Sequence, residues 1–221
     1  MNIAVLGTGM VGQALAARLH ELGHSVTIGT RGPAASLART EPGGLGAWHQ
    51  DHSDVPVTTY ADATAGAELV VLAALGSAAL EILGLAGPDH LAGTVVLDIS
   101  NPLDFSRGMP PTLFVSNTDS LGEQVQRAVP SARVVKALNT MNAYLMADPR
   151  TLADGGFSTF VSGDDAEAKA TVVRLLESMG HTDVIDLGGL ATARGTEMMM
   201  PVWLSLWGSL GTPMFTFKIV R

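Results

Sequence analysis

Short apolar runs alternate with segments of helical periodicity along most of the chain. Runs of strand length occur at 2–7, 25–29, 68–74, 94–99, 133–138, 157–163 and 182–187, with a weaker one inside 51–62. Continuous apolar runs are typical of strands buried on both faces. Residues 10–22 and 166–179 instead repeat their apolar positions at helical spacing. This alternation predicts an α/β fold, a Rossmann-type, doubly wound and mostly parallel sheet with helices on both faces.

Two parts of the chain fit this pattern less well. Residues 31–50 are rich in Gly, Pro and Ala, which predicts a partly ordered loop or helix. Residues 189–221 are predicted to be a short C-terminal helical segment following a domain at 1–188. No charged residue occurs over 198–217, but two prolines and two glycines interrupt this stretch. We therefore expect a helix buried at a subunit or cofactor interface and not a membrane span.

Composition narrows the class of protein. The 221 residues are 47% hydrophobic and 15% charged, and the net charge is −8. The 13 lysines and arginines are scattered, whereas a nucleic-acid binder normally has a basic face. The absence of cysteine excludes disulfides, thiolate metal ligands and a cysteine nucleophile, and it is consistent with a cytoplasmic location. No group of residues has metal-ligand spacing, and His49 and His52 are predicted to lie in a solvated loop.

A glycine-rich turn follows the first strand directly and opens the first helix. Residues 7–12, GTGMVG, match the pattern G-x-G-x-x-G. Gly7 permits the tight turn, Gly9 allows a pyrophosphate to approach the backbone, and Gly12 lets the helix pack on the strand. The free N–H groups of the helix start then face the phosphates. The turn predicts a dinucleotide site that includes the intervening residues Thr8, Met10 and Val11.

The end of the second strand indicates which dinucleotide is bound. An NAD-binding chain usually has a carboxylate there for the ribose 2′-hydroxyl, but this strand ends in Gly29, Thr30 and Arg31. A hydroxyl and a guanidinium would bind a 2′-phosphate by charge-assisted hydrogen bonds. We therefore expect NADP(H), with exposure of Arg31 on the surface as the alternative.

The remaining strand ends complete the expected site, because ligands bind at the carboxyl ends of such sheets. Ala74 and Leu75 follow the fourth strand and are expected beside the adenosine and ribose. The turn at Ser100, Asn101 and Pro102 and the turn at Asn139 are expected around the nicotinamide. The asparagine amides would position the carboxamide or a second ring; the alternative is that they hydrogen-bond turn backbone.

No acid or base occurs at these strand ends. Alcohol dehydrogenases need such a group to move the hydroxyl proton. Hydride transfer between a nicotinamide and a flavin-like ring needs mainly two aligned rings. The sequence therefore favours a second redox ring over an alcohol substrate.

Four spaced motifs carry a family resemblance that extends to about Trp207. They are VTIGTRGP (26–33), LDISNP (97–102), VKALNT (135–140) and IDLGGLATAR (185–194). With them the chain resembles the NADPH-dependent reductases of the deazaflavin coenzyme F420. It is also similar to the soluble oxidoreductase domain of STEAP-type metalloreductases.

The resemblance implies NADPH at the carboxyl edge, a deazaflavin or flavin stacked on the nicotinamide, and a homodimer. It implies that Thr8, Met10, Thr30 and Arg31 contact NADPH and that the turn of Ala137, Leu138 and Asn139 lies near the nicotinamide. It also implies that Met199, Pro201 and Trp207 wall the ring pocket. The F420 reductases carry His where this chain has Asn139, and the metalloreductase domain has Asn, so coenzyme F420, FMN and FAD all stay open as the second ring.

Three functions follow in order of preference. The first is an NADP-dependent oxidoreductase that passes hydride to or from coenzyme F420 or a flavin. The second is a reductase of a small imine or carbonyl, similar to pyrroline-carboxylate reductases. The third is a redox sensor that binds NADPH.

Overall fold

All the predicted strands are present in the structure, a computed structural model that describes residues 1–221. Ten strands occur in chain order: Asn2–Leu6 (β1), Ser25–Thr30 (β2), Val57–Thr59 (β3), Leu69–Leu72 (β4), Val95–Asp98 (β5), Leu103–Asp104 (β6), Thr112–Leu113 (β7), Arg133–Ala137 (β8), Ser158–Gly163 (β9) and Asp183–Asp186 (β10). Eight of them form one sheet in the order β10-β9-β8-β5-β4-β1-β2-β3, and β6 pairs only with β7.

The sheet is parallel except at one boundary. β8 and β9 are antiparallel, and β10 runs parallel to β9. The other six strands therefore share one carboxyl edge. The strand order reverses between β1 and β4, and a crevice opens at such a point in doubly wound sheets. This confirms the predicted Rossmann-type fold and fixes where a ligand site belongs.

Ten helices accompany the sheet. They are Met10–Glu21 (α1), Pro33–Leu37 (α2), Leu45–Asp51 (α3), Tyr60–Thr64 (α4), Ala79–Ala86 (α5), Leu121–Ala128 (α6), Ala143–Ala147 (α7), Ala166–Met179 (α8), Ala193–Met198 (α9) and Met200–Leu210 (α10). Two buried apolar clusters pack against the sheet, one with α1, α7 and α8 and the other with α4, α5 and α6. Continuous apolar strands such as Leu69–Leu72 are buried on both sides for this reason.

The structure adds two features that the sequence pattern left open or missed. Residues 31–50 contain the short helix α2 and all but the last residue of α3. The β6–β7 hairpin was not predicted, because two-residue strands are too short to show an alternation.

The apolar stretch 198–217 is not buried within the chain. It contains α10, of which only Met200 and Trp203 are buried, while Val202, Trp207 and Leu210 are exposed. No helix of the structure has both the length and the apolar content that a membrane crossing requires.

One buried histidine ties α7 to the antiparallel part of the sheet. His181 is 2% exposed, with its Nδ1 2.8 Å from the Thr159 hydroxyl and its Nε2 3.1 Å from the Met146 carbonyl oxygen. The carbonyl can only accept, so Nε2–H donates to it, and in the neutral ring Nδ1 accepts from the Thr159 hydroxyl. Burial lowers the pKa of His181 to about 4.

This pKa predicts a pH dependence of folding. The pKa of histidine in the unfolded chain is about 6.5. Between about pH 6.5 and pH 4, His181 is therefore protonated in the unfolded chain but not in the folded chain. Stability should fall by about 3 kcal/mol as pH drops through that window and should lose nothing more from this residue below it. Urea unfolding of the parent and of His181→Gln at each pH measures the effect. The difference between the two curves cancels other groups, and a difference that does not change with pH would contradict the assignment.

Candidate active site

The glycine turn between β1 and α1 has the geometry that a phosphate site needs. Gly7 has φ +142°, and a Cβ there would lie 2.0 Å from the Ala73 carbonyl oxygen. A Cβ on Gly12 would lie 2.2 Å from the Gly7 carbonyl oxygen, so this glycine packs α1 against the turn. A Cβ on Gly9 would meet nothing within 4 Å. Gly7 and Gly12 are therefore required by the fold itself, whereas Gly9 leaves space above the backbone.

The start of α1 presents free backbone donors to that space. Gly9 is the N-cap of the helix and supplies no side-chain cap, so the first N–H groups of the helix have no side-chain acceptor. Their partial positive charge favours an anion. The open space over Gly9 and the uncapped helix fit the pyrophosphate of a dinucleotide.

A cleft of about 610 Å³ extends from this turn along the carboxyl edge of the sheet. Its lining residues come from the loops after β1, β4, β5 and β8, together with the hairpin and α7. The predicted site residues that line it are Gly7, Thr8, Gly9, Met10, Val11, Ala74, Leu75, Ser100 and Asn101. The structure thus brings the turns after three different strands together around one cleft.

Other predicted residues do not line the cleft. Gly12 and Pro102 are buried behind its wall, and so is the turn of Ala137, Leu138 and Asn139. Thr30 is buried, with its hydroxyl 2.7 Å from that of Ser36. Arg31 is exposed and donates to Glu81 at 2.8 Å.

Several lining residues were not predicted, among them Arg39, Tyr60, Ser77, Phe105, Ala143 and Met146. Leu103, Met141 and Asn142 also line the cleft, and they belong to the segments after β5 and β8 that were expected to surround the nicotinamide. Arg39 and Phe105 come from a loop and a hairpin that the apolar pattern does not define.

Asn101 and Asn139 bind each other. The Asn101 amide nitrogen donates to the Asn139 carbonyl oxygen at 2.9 Å, and the Asn139 amide nitrogen donates to the Asn101 side-chain oxygen at 3.0 Å. Leu138 has φ +63°, an unusual conformation for a bulky residue that costs about 1 kcal/mol or more. The strained turn places Asn139 where it joins the loops after β5 and β8, while Asn101 itself reaches the cleft.

A buried ion cluster fixes the β5 turn from behind. The Lys136 ammonium is 2.9 Å from the Asp98 carboxylate and 2.8 Å from that of Glu197, and it also donates to the Ser100 carbonyl. Asp98 also accepts hydrogen bonds from the backbone N–H and the hydroxyl of Ser100. Burial alone would lower the pKa of Lys136, but the two carboxylates outweigh burial and raise it. Lys136 is therefore charged, and it holds Ser100 in place.

The same cluster reaches the C-terminal segment. Glu197 lies on α9 and accepts hydrogen bonds from the backbone N–H groups of Leu121 and Gly122 at the start of α6. β5, β8, α6 and α9 thus meet at one point behind the Ser100–Asn101 turn of the cleft.

Met199, Pro201 and Trp207, which the resemblance placed around the ring pocket, do not line the cleft of this chain. Within one chain they do not wall a ring pocket, because α10 turns its apolar residues outward, and a contribution across a dimer stays a prediction. The segment touches the cleft wall elsewhere: Asn142 donates to the Pro213 carbonyl and also caps the start of α7.

Comparison with known proteins decides the family. The matching family model, described as NADP oxidoreductase coenzyme F420-dependent, aligns with residues 2–102. A solved structure from Arthrobacter sp. FB24, provisionally titled an F420-dependent NADP reductase, is 59% identical over 100% of both chains, with a TM-score of 0.97. The chain belongs to the coenzyme F420-dependent NADP oxidoreductase family.

Curated relatives of this F420-dependent oxidoreductase family member differ in length. The F420-dependent NADP reductase of Methanothermobacter marburgensis is 29% identical over 93% of this chain and 92% of that protein. Metalloreductase STEAP3 of Rattus norvegicus is 32% identical over 91% of this chain, but the match spans only 38% of that protein. Solved imine reductases are similar as well, for example one from Streptomyces aurantiacus at 21% identity and TM-score 0.62, which shows the fold alone.

The buried ion cluster should contribute strongly to the stability of this family member. Lys136→Met leaves the Asp98 and Glu197 carboxylates buried without a cation, which should cost about 3–5 kcal/mol of unfolding free energy. Urea denaturation measures this loss. Lys169→Met is the matched control, since Lys169 pairs with the half-exposed Asp186 and should cost about 1 kcal/mol or less. Equal effects of the two substitutions would contradict a special role for the buried cluster.

Proposed function

We propose that the chain transfers hydride between NADP(H) and coenzyme F420, both held in the cleft at the carboxyl edge of the sheet. When bound, the nicotinamide and the deazaflavin supply the redox chemistry themselves. The observation that carries the proposal is the distribution of titratable groups. Arg39 and Tyr60 are the only titratable side chains that line the cleft, and both belong to its adenosine end.

The phosphate end and the ring end of the cleft have different tasks. At the phosphate end, the N–H groups of α1 and the open space over Gly9 hold the pyrophosphate. At the ring end, the Asn101 amide donates only one of its two hydrogens, to Asn139, and keeps the other for a ligand, while Met141 and Met146 form an apolar wall. Leu103 and Phe105 of the hairpin extend this wall. Apolar walls exclude water and keep two rings at reacting distance.

The small-imine or carbonyl hypothesis is less well supported. Reduction of such a substrate needs a proton donor beside the reacting carbon or nitrogen. Tyr60 is the one lining residue whose side chain could serve, but it lies close to Arg31 and Glu81, on the adenosine side. The ring end therefore suits hydride transfer between two rings better than reduction of an imine.

The chain is also proposed to act as a homodimer in the cytoplasm. Val202, Trp207 and Leu210 of α10 form an exposed apolar face together with Met214. A groove of about 540 Å³ separates α10 from Met109 and Pro110 of the β6–β7 loop. An apolar face of this kind is typical of a subunit interface. A second copy seated on it would bring its own 189–221 segment toward the ring end of the cleft.

An acceptor assay tests the activity. Loss of nicotinamide absorbance is followed with the purified chain, NADPH, and coenzyme F420, FMN, FAD or no acceptor. Turnover is expected with coenzyme F420. Gly9→Ala should fold normally but turn over at least tenfold more slowly at limiting NADPH, because the new methyl occupies the space of the pyrophosphate. Gly84→Ala, on α5 in open space and outside both the cleft and the α10 face, is the matched control.

Turnover with FMN or FAD but not with coenzyme F420 would identify a flavin as the second ring. Tight NADPH binding without turnover with any of the acceptors would contradict the proposal and favour an imine substrate or a redox sensor.

Sedimentation velocity tests the dimer. Trp207→Arg should shift the chain from dimer to monomer and reduce turnover with coenzyme F420, while NADPH binding stays. Leu85→Arg is the matched control, since Leu85 is exposed on α5, outside the apolar face. A parent chain that sediments as a monomer, or a Trp207→Arg variant that stays dimeric, would contradict the proposed interface.

A further inference from the structure

Arg39 is the one charged side chain among the residues that line the cleft. Its guanidinium donates to the Thr8 hydroxyl of the glycine turn at 3.0 Å. No carboxylate forms an ion pair with it, although the chain has 21 acidic residues. An arginine at the rim of an anion site, without a carboxylate partner, is available to a phosphate.

Arg31, the arginine expected from the sequence to bind the 2′-phosphate, is in a different situation. Its guanidinium is held by the Glu81 carboxylate at 2.8 Å. A phosphate that approached Arg31 would have to displace this carboxylate or accept its negative charge nearby. Thr30, the other expected partner, is buried and paired with Ser36.

The backbone around Arg39 is fixed. Its carbonyl oxygen accepts hydrogen bonds from the N–H groups of Gly46 and Ala47. A Cβ on Gly44 would lie 2.3 Å from that same oxygen, so the chain passes as closely as a glycine allows. The guanidinium therefore extends from a well-defined loop.

Gln13 joins this loop to the glycine turn. It is a buried polar residue of α1, and its amide nitrogen donates to the Thr8 carbonyl at 2.8 Å and to the Gly43 carbonyl at 3.1 Å. Both hydrogens of the amide group are thus used, one on each side. The distance between Arg39 and the phosphate site depends on this bridge.

We propose that Arg39 is the main anchor of the 2′-phosphate of NADP(H) and that Gln13 is the positioning residue that holds it there. The assignment to the 2′-phosphate follows from the path of the chain. The Arg39 loop follows α2, which begins directly after β2, and the end of β2 is where the ribose 2′ position lies in this fold. The pyrophosphate already has the donors of α1. The proposal rests on the proposed binding of NADP(H) in this cleft.

Equilibrium binding of NADPH and NADH, followed by nicotinamide fluorescence on the full chain, tests the anchor. Arg39→Met should weaken NADPH binding about ten- to a hundredfold, the range for loss of a charge-assisted contact, and leave NADH binding within about twofold. Arg39→Lys should recover part of the loss. Arg31→Met should weaken NADPH binding less than Arg39→Met does. Arg174→Met, an exposed arginine on α8, is the control for net charge and should change neither affinity.

Gln13→Met tests the positioning role. This substitution keeps the volume of the side chain but removes both donors. It should weaken NADPH binding severalfold in the parent and have little further effect in Arg39→Met, with NADH binding again retained. A purely structural role would weaken both nucleotides and would act equally in the two backgrounds.

The outcomes separate the two proposals. If Arg39→Met weakens binding of NADPH and NADH equally, Arg39 contacts the pyrophosphate and the assignment is overturned. If NADPH binding is lost with Arg31→Met and unchanged with Arg39→Met, Arg31 is the anchor of the 2′-phosphate. A parent chain that binds neither nucleotide would instead reject the proposed function itself.

Discussion

The buried ion cluster of Asp98, Lys136 and Glu197 is the interaction on which the Ser100–Asn101 turn of the cleft depends. It joins β5, β8, the start of α6 and α9 of the C-terminal segment at a point that water does not reach. Charges buried in this way are stable only as a complete set, because each partner offsets the desolvation of the others. The set is complete here: the ammonium contacts two carboxylates and a carbonyl, and the carboxylates accept backbone N–H groups as well.

Close contacts between backbones fix the other loops along the cleft. Gly76 packs on the Asn101 carbonyl oxygen, where a Cβ would lie at 2.0 Å, and Gly7 packs on that of Ala73 in the same way. The loops after β1, β4 and β5 therefore touch through their main chains. The Asn101–Asn139 pair adds the loop after β8. A cleft built from such contacts is preorganised, which is what alignment of two rings requires.

The polarity of the cleft lining changes from one end of the cleft to the other. Free N–H groups and the Arg39 cation lie beside the glycine turn that is proposed to hold the phosphates, and methionine and leucine side chains lie where the rings are proposed to bind. The chain thus contributes binding, orientation and exclusion of water. In a member of the F420-dependent NADP oxidoreductase family, this division leaves the electron transfer to the cofactors.

The sequence by itself determined the fold and the place of the site. Continuous apolar strands, a glycine turn before a helix and polar residues after strands are local signals, since each depends on neighbours along the chain. They predicted the strands of the main sheet and the strand-end turns that line the cleft.

Only the tertiary structure decided which side chains line the cleft and which support its wall. Asn139 and Lys136 are close to the site in sequence but lie behind it, because their partners Asn101, Asp98 and Glu197 come from other elements. Arg31 is paired by Glu81, 50 residues away, and Arg39 is brought to the turn by Gln13 and Gly43. Pairings of this kind depend on which loops meet in space, and a pattern of apolar and polar positions contains no such information.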